Sequence, residues 1–322
     1  MDESRGRPWA GSSRPHLQVT VLLPCFHSPE WTPHAGARRG LRDTVLAYHP
    51  DMDRSSDGST LGRINAEAAL LLGAGYAVLL QIAHPSVARG VSEHSDFASR
   101  PLDRLRGTLY YVYGMALGTE EERDRVQAIV RAMHRKVRGP GYDALDPELL
   151  LWVGATLYHS GERLYELVIG DLSPQERYRF LRESSVYATA LGLPEEEWPA
   201  TPREFDEYWS GAYARLRVEG AARGLADELF RPKKRVLWPL TLTQRFLTGG
   251  LLPPELRREF GIPWSPAKQR GFDRLTRVTR VVYPRIPRPV RTLPAKLYLR
   301  SMRRHGGWKS PRRTGRKRTR VA

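Results

Sequence analysis

Arg104 and Thr108 stand four residues apart in the string Arg-Leu-Arg-Gly-Thr-Leu-Tyr-Tyr-Val, and His134 follows 30 residues after the arginine. Residues at i and i+4 share one helix face, so a guanidinium and a hydroxyl can converge on one small site. A single histidine on a second helix can ligate a metal there without another protein ligand. That combination suits a haem: the porphyrin supplies four ligands, the protein one axial histidine, and distal polar groups handle oxygen. A structural zinc site would require four protein ligands. The plain alternatives stand beside this reading. A histidine on an apolar helix face is more often a hydrogen-bonded core or groove residue, and Thr108 can back-bond to a carbonyl of its own helix.

The elements that must position these residues read as helices. Pro101 opens one, at a position where its missing N–H costs nothing, and Arg104, Thr108, Val112 and Met115 form a stripe down to Gly118. Thr119 caps the next, with Glu120, Glu121 and Glu122 at its positive end. Its apolar face is Val126, Ile129, Val130, Met133 and Val137, with His134 inside that sector, and Gly139-Pro140 stops it. Asp146-Pro147 starts a long helix over Glu148–Val168. Ser173-Pro-Gln-Glu176 and Thr201-Pro-Arg-Glu204 are capping signatures leading into Arg177–Leu191 and Phe205–Arg217. Beyond Pro232 come shorter helices and then Arg270–Tyr283. No strand-like alternation of any length appears, and the fold class is all-α.

Ile64–Ala83 is nearly continuously apolar, long enough to span a bilayer, but Glu67 and Gln81 lie inside it and Gly73 and Gly75 invite close packing. It reads as a buried core helix ending at His84-Pro85. His84 there is either a helix cap or a distal-pocket residue. His94, in Ser-Glu-His-Ser-Asp, reads as a local cap, and His159 as a weaker ligand candidate than His134.

Residues 231–322 hold 26 of the 52 Lys and Arg but only 3 of the 35 Asp and Glu, so the net charge of +17 belongs to the C-terminal third. A solvated basic surface is the plain reading, peripheral contact with anionic membrane comes next, and nucleic acid last. The lone Cys25 excludes an internal disulfide and any Cys-rich metal site. No signal-peptide core precedes it, which points to a cytoplasmic protein, peripheral to a membrane at most. Three regions are expected: an irregular arm over 1–58, a helical domain over 59–302 and a basic, disordered tail over 303–322.

Several strings together resemble the catalytic domain shared by rubber oxygenases (latex clearing proteins) and the oxygenase of mycophenolic acid biosynthesis. They are Leu70-Leu-Leu-Gly-Ala-Gly, Leu79-Leu-Gln-Ile-Ala-His-Pro85 and His94-Ser-Asp-Phe97, then Arg104-Leu-Arg-Gly-Thr-Leu109 and Val130-Arg-Ala-Met-His-Arg-Lys-Val-Arg-Gly139. Leu145-Asp-Pro-Glu-Leu-Leu-Leu-Trp-Val153 and Leu193-Pro with Trp198-Pro-Ala-Thr201 complete the set, in the family's order. The resemblance implies a globin-like helical bundle around haem b, His134 as proximal iron ligand, and Arg104 and Thr108 on the distal side, where His84 in its distal-pocket reading would join them as a cofactor-binding residue. Gly107 stands where rubber oxygenases carry a distal lysine, and Gly154 where many bacterial relatives carry histidine. The function expected is a haem-dependent oxygenase using O2 on an apolar, isoprenoid-like substrate. The alternative is a helical haem or lipid carrier without oxygen chemistry, with a basic membrane-binding region.

Overall fold

The computed structural model describes residues 58–94, 101–231 and 238–304, with the side chains of 101–105 outside that description. Of the expected arm only Gly58 falls within it, and of the expected tail only Arg303 and Arg304. The described residues belong to one compact unit, 53–322, and the architecture is all-α.

The apolar run at its start is not one helix. It divides into α1 (Thr60–Asn65), a 3-10 segment (Ala68–Gly73) and α2 (Ala74–Ile82). The cause is Glu67, whose side chain is only 3% exposed. The Tyr283 hydroxyl donates to its Oε2 at 3.0 Å and the Arg291 guanidinium lies 3.5 Å from Oε1. The same Tyr283 oxygen accepts the Ala69 N–H at 3.1 Å, so the break is held by a polar tie that a buried carboxylate requires. The two glycines serve close packing as expected: a Cβ at Gly73 would stand 2.8 Å from Leu164, and one at Gly75 2.4 Å from the Thr248 hydroxyl. After α2 the chain turns by 107° into α3 (Pro85–His94), and no single helix among the described residues is long and apolar enough to cross a membrane.

Helices α4 (Pro101–Leu117) and α5 (Glu120–His134) form an antiparallel hairpin. Thr119 and Glu122 make the reciprocal capping box at the start of α5. A Cβ at Gly114 would meet Val126 at 2.7 Å, so glycine is what allows the two helices to approach. Past α5 the sequence reading needs one correction: the helix stops at His134, before Val137, and a two-residue hairpin follows. Its strands, β1 (Arg138–Gly139) and β2 (Tyr142–Asp143), are joined through Gly141 at φ 79°, a backbone region that glycine enters without strain.

The axis of the fold is α6 (Pro147–Val168), started by the Asp146 side chain accepting the Glu148 N–H. It serves two apolar clusters. Ala155 and Tyr158 pack with Phe180, Tyr187, Trp198 and Phe205, while Trp152 and Leu164 pack with Tyr76, Leu80, Leu252 and Phe260. Helix α7 (Pro174–Ser184) also ends earlier than its pattern suggests, and the single turn α8 (Val186–Thr189) follows at a bend. The bend lets Ala188 come down onto α6 at Gly154, where a Cβ would be 3.0 Å from the alanine methyl. Helices α9 (Pro202–Ala214), α10 (Gly220–Phe230), α11 (Trp238–Leu251), α12 (Pro254–Glu259), α13 (Pro266–Val282), α14 (Arg288–Arg291) and α15 (Leu293–Arg304) complete the unit. Thr201 caps α9 as its sequence indicates, and Ser265 caps α13 four residues ahead of the expected start.

Candidate functional site

His134 is the last residue of α5, half-buried, and its Nδ1 lies 2.9 Å from the Val130 carbonyl one turn back. A carbonyl oxygen only accepts, so Nδ1 carries the proton. This is the arrangement by which a backbone carbonyl fixes the tautomer of a metal-binding histidine. Among the described residues nothing buries the apolar sector beyond Val126. Of α5 only Val126 is buried, while Ile129 and Met133 are 41% and 56% exposed. An imidazole with its tautomer set by a backbone carbonyl, beside apolar side chains, is a donor of the kind a haem takes.

The hairpin geometry gives the level of the three expected residues. Measured from the close contact between Gly114 and Val126, His134 lies about 12 Å along α5, at 1.5 Å per residue. On the antiparallel α4, Thr108 lies about 9 Å and Arg104 about 15 Å from the same point. His134 therefore falls level with the stretch of α4 between Thr108 and Arg104. Thr108 is half-buried, and the Arg104 side chain lies outside the described residues. Gly107 is exposed, and a Cβ there would meet nothing within 4 Å, so the side chain that rubber oxygenases carry would find open space. Gly154 is the opposite case: a Cβ would already stand 3.1 Å from Trp198 and 3.0 Å from Ala188. A histidine does not fit there without repacking the core.

Below His134 the β-hairpin meets α3. Gly90 admits Val137 and the Tyr142 ring, each within 3.5 Å of where a Cβ would be. Tyr142 donates to Glu93 Oε2 at 2.5 Å and lies 3.1 Å from His94 Nε2. The hydrogen bond to Glu93 is the main reason the Tyr142 pKa is raised. His94, in the last turn of α3, also makes a contact 48 residues away, and Glu93 gains a fixed position that the sequence did not disclose. Neither residue type nor spacing could have signalled it, because Tyr142 is brought in by the turn at Gly141.

His84 sits at the elbow between α2 and α3, at the end of α3 away from Glu93 and His94. Its ring centroid is 6.5 Å from that of Trp152, and its Nδ1 is buried without a hydrogen-bond partner among the described residues. Burial lowers its pKa, the neighbouring Glu148 opposing. A capping hydrogen bond from Nδ1 is therefore not made.

His159, the weaker ligand candidate, lies at a different place, in a cleft of about 620 Å³ lined by Tyr76, Arg163, Trp209 and Tyr213. Its Nε2 is 3.0 Å from the Tyr76 hydroxyl, and its ring stacks on Trp209 with centroids 3.9 Å apart. Its pKa is pushed down to about 3, first by burial and then by the Arg163 charge. Between its ordinary value of 6.5 and 3 the unfolded chain binds a proton that the folded chain does not, so stability falls as pH drops through that window. We expect a slope of up to about 1.4 kcal/mol per pH unit from this residue. Urea unfolding between pH 7 and pH 4 checks this: His159→Gln should flatten the profile, and an equal slope in both proteins would contradict it.

Among the described residues no three His, Cys, Asp or Glu side chains come together as a metal-binding group. A metal carried by a macrocycle needs only one of them.

Residues 62–281 match the family described as ER-bound oxygenase mpaB/B'/Rubber oxygenase, catalytic domain. The chain is 33% identical over 249 residues to an uncharacterised protein of Mycobacterium tuberculosis (strain H37Rv), covering 71% of this chain and 96% of the relative. An uncharacterised protein of Mycobacterium bovis matches to the same extent, 33% over 249 residues. No solved structure matches the chain. The family is an oxygenase catalytic domain, which supports an oxygenase, and so an enzyme, here. With its strings in order and its match over most of the helical unit, the chain belongs to the mpaB/rubber oxygenase catalytic-domain family.

Proposed function

We propose that the chain is a haem b-dependent oxygenase acting with O2 on a small or medium apolar, unsaturated substrate of isoprenoid-like character. The observation that carries the reading is His134: its Nδ1 is tied to Val130 one turn back, and it lies level with the Arg104–Thr108 stretch of α4. When bound, haem b would supply oxygen activation at its iron, which the side chains present could not perform themselves. The chain's own part is narrower. His134 Nε2 would hold the iron, and Ile129, Val130 and Met133 would cover the apolar edge of the macrocycle. Thr108 and Arg104, one turn apart on α4, would donate hydrogen bonds to a polar ligand on the distal side. Preorganised donors of this kind act where negative charge develops.

Oxygen uptake by the purified protein, with candidate alkenes and product identification, tests the reading. Arg104→Ala should retain haem yet lose roughly 100-fold in turnover, about 3 kcal/mol for one lost donor. A variant with normal haem content and unchanged turnover would remove Arg104 from the site.

A further inference from the structure

Ten of the fourteen large apolar side chains exposed on the described unit lie between Trp238 and Leu297. This is the same part of the chain that carries the basic surplus, and the two features share helices. On α13, Leu275, Val278 and Val282 follow one another at i, i+3 and i+7, each between 41% and 53% exposed. Arg270, Arg274 and Arg277 occupy the adjacent sector of the same helix, and Phe272 on the other side is buried. Val290 on α14 and Leu293 and Leu297 on α15 are also about half exposed. Helix α11 packs on α13 through Phe246 and Phe272, ring centroids 6.2 Å apart, and adds Trp238 and Leu242, which share one side of the helix at i and i+4 and are both more than half exposed.

Residues 266–304 carry 12 Lys and Arg against a single acid, Asp273. Three of the arginines have carboxylate partners elsewhere: Arg280 with Asp171, Arg291 with Glu67 and Arg303 with Glu122. Arg274, Arg277, Arg288, Lys296 and Arg300 are exposed and have no carboxylate partner among the described residues.

We propose that this face, built from α11 and α13–α15, docks the protein onto an anionic lipid membrane, with α13 lying in the interface plane. A helix with an apolar stripe beside a row of arginines is suited to that position, its stripe entering the acyl boundary and its cations meeting lipid phosphates. The charge excludes the commonest alternative for an apolar face. A second copy would bring the same excess of cations against this one, which like charges disfavour. Nucleic acid would satisfy the arginines but leave the leucines and valines in water. The inference stands apart from the haem site, and its test does not depend on cofactor or turnover.

The test is flotation of the full chain with phosphatidylcholine vesicles, with and without phosphatidylglycerol. The wild-type chain should float only with the anionic vesicles, and less at high salt. L275S/V278S/V282S changes exposed positions only and should keep its helical circular dichroism while losing at least roughly tenfold in partitioning. Arg274→Gln and Arg277→Gln should each weaken it by roughly fivefold at low salt, since a cation near such a surface contributes about 1 kcal/mol. V290S/L293S should weaken it independently, which keeps the proposal testable if the triple variant unfolds. Three results would overturn the proposal. The apolar variants could float as well as the wild type, leaving binding to bulk charge. The wild type could prove a dimer that the triple variant dissolves. Or it could bind DNA in preference to vesicles.

Discussion

His134→Ala is expected to yield a folded, helical protein that purifies with little haem, or with haem of altered axial ligation. The physical case is local. The residue ends α5, where only Val126 is buried, so removing the imidazole creates no core cavity and leaves the helical circular dichroism unchanged. Its Nδ1 bond to Val130 is lost as well, but a carbonyl at a helix end can turn to water. What does not survive is the oriented Nε2. Free imidazole should partly restore the wild-type spectrum by filling the vacated position. His84→Ala, His94→Ala and His159→Ala should all keep the proximal signature, with a perturbed distal side allowed only for His84→Ala. Loss of haem from one of those three with retention in His134→Ala would move the axial assignment to that residue.

Trp152→Ala should cost about 4 kcal/mol of folding stability, the range for truncating a buried aromatic. The indole is 1% exposed, donates from Nε1 to the Gln81 carbonyl at 3.3 Å and stacks on Trp209 with centroids 5.3 Å apart. It joins α6 to the last turn of α2, next to the elbow that carries His84. The variant should therefore unfold at a lower urea concentration, with haem affinity lowered only through the folded fraction. A loss under about 1 kcal/mol would mean that the elbow is held by something other than this side chain.

Much of the helix layout was legible because its punctuation is local. Thr119 with Glu122, Ser173 with Glu176, Asp146 before Pro147 and Thr201 before Pro202 all start helices where their side chains accept from the first turn. What was not legible was set from far away. The apolar run over Ile64–Ala83 breaks because Glu67 is tied to Tyr283, 216 residues later, and no window around Glu67 contains that information. The bend after Ser184 likewise answers to Gly154 on another helix. At the candidate site the spacing of Arg104 and Thr108 gave a shared face, and His134 a ligand type on the next helix. It did not give the uncovered state of Ile129 and Met133, since periodicity reports which residues share a side and not whether anything packs there. The Glu93–Tyr142–His94 contact was hidden for a similar reason: a hairpin of two-residue strands around Gly141 creates it.

The central claim is that this chain holds haem through one histidine, and the absorption spectrum of freshly purified protein tests it most directly. Expressed with added haem precursor, the wild-type chain should show a strong Soret band at close to stoichiometric haem, shifted on reduction and again on exposure of the reduced protein to carbon monoxide. A folded, helical preparation with no Soret band under those conditions would contradict the account.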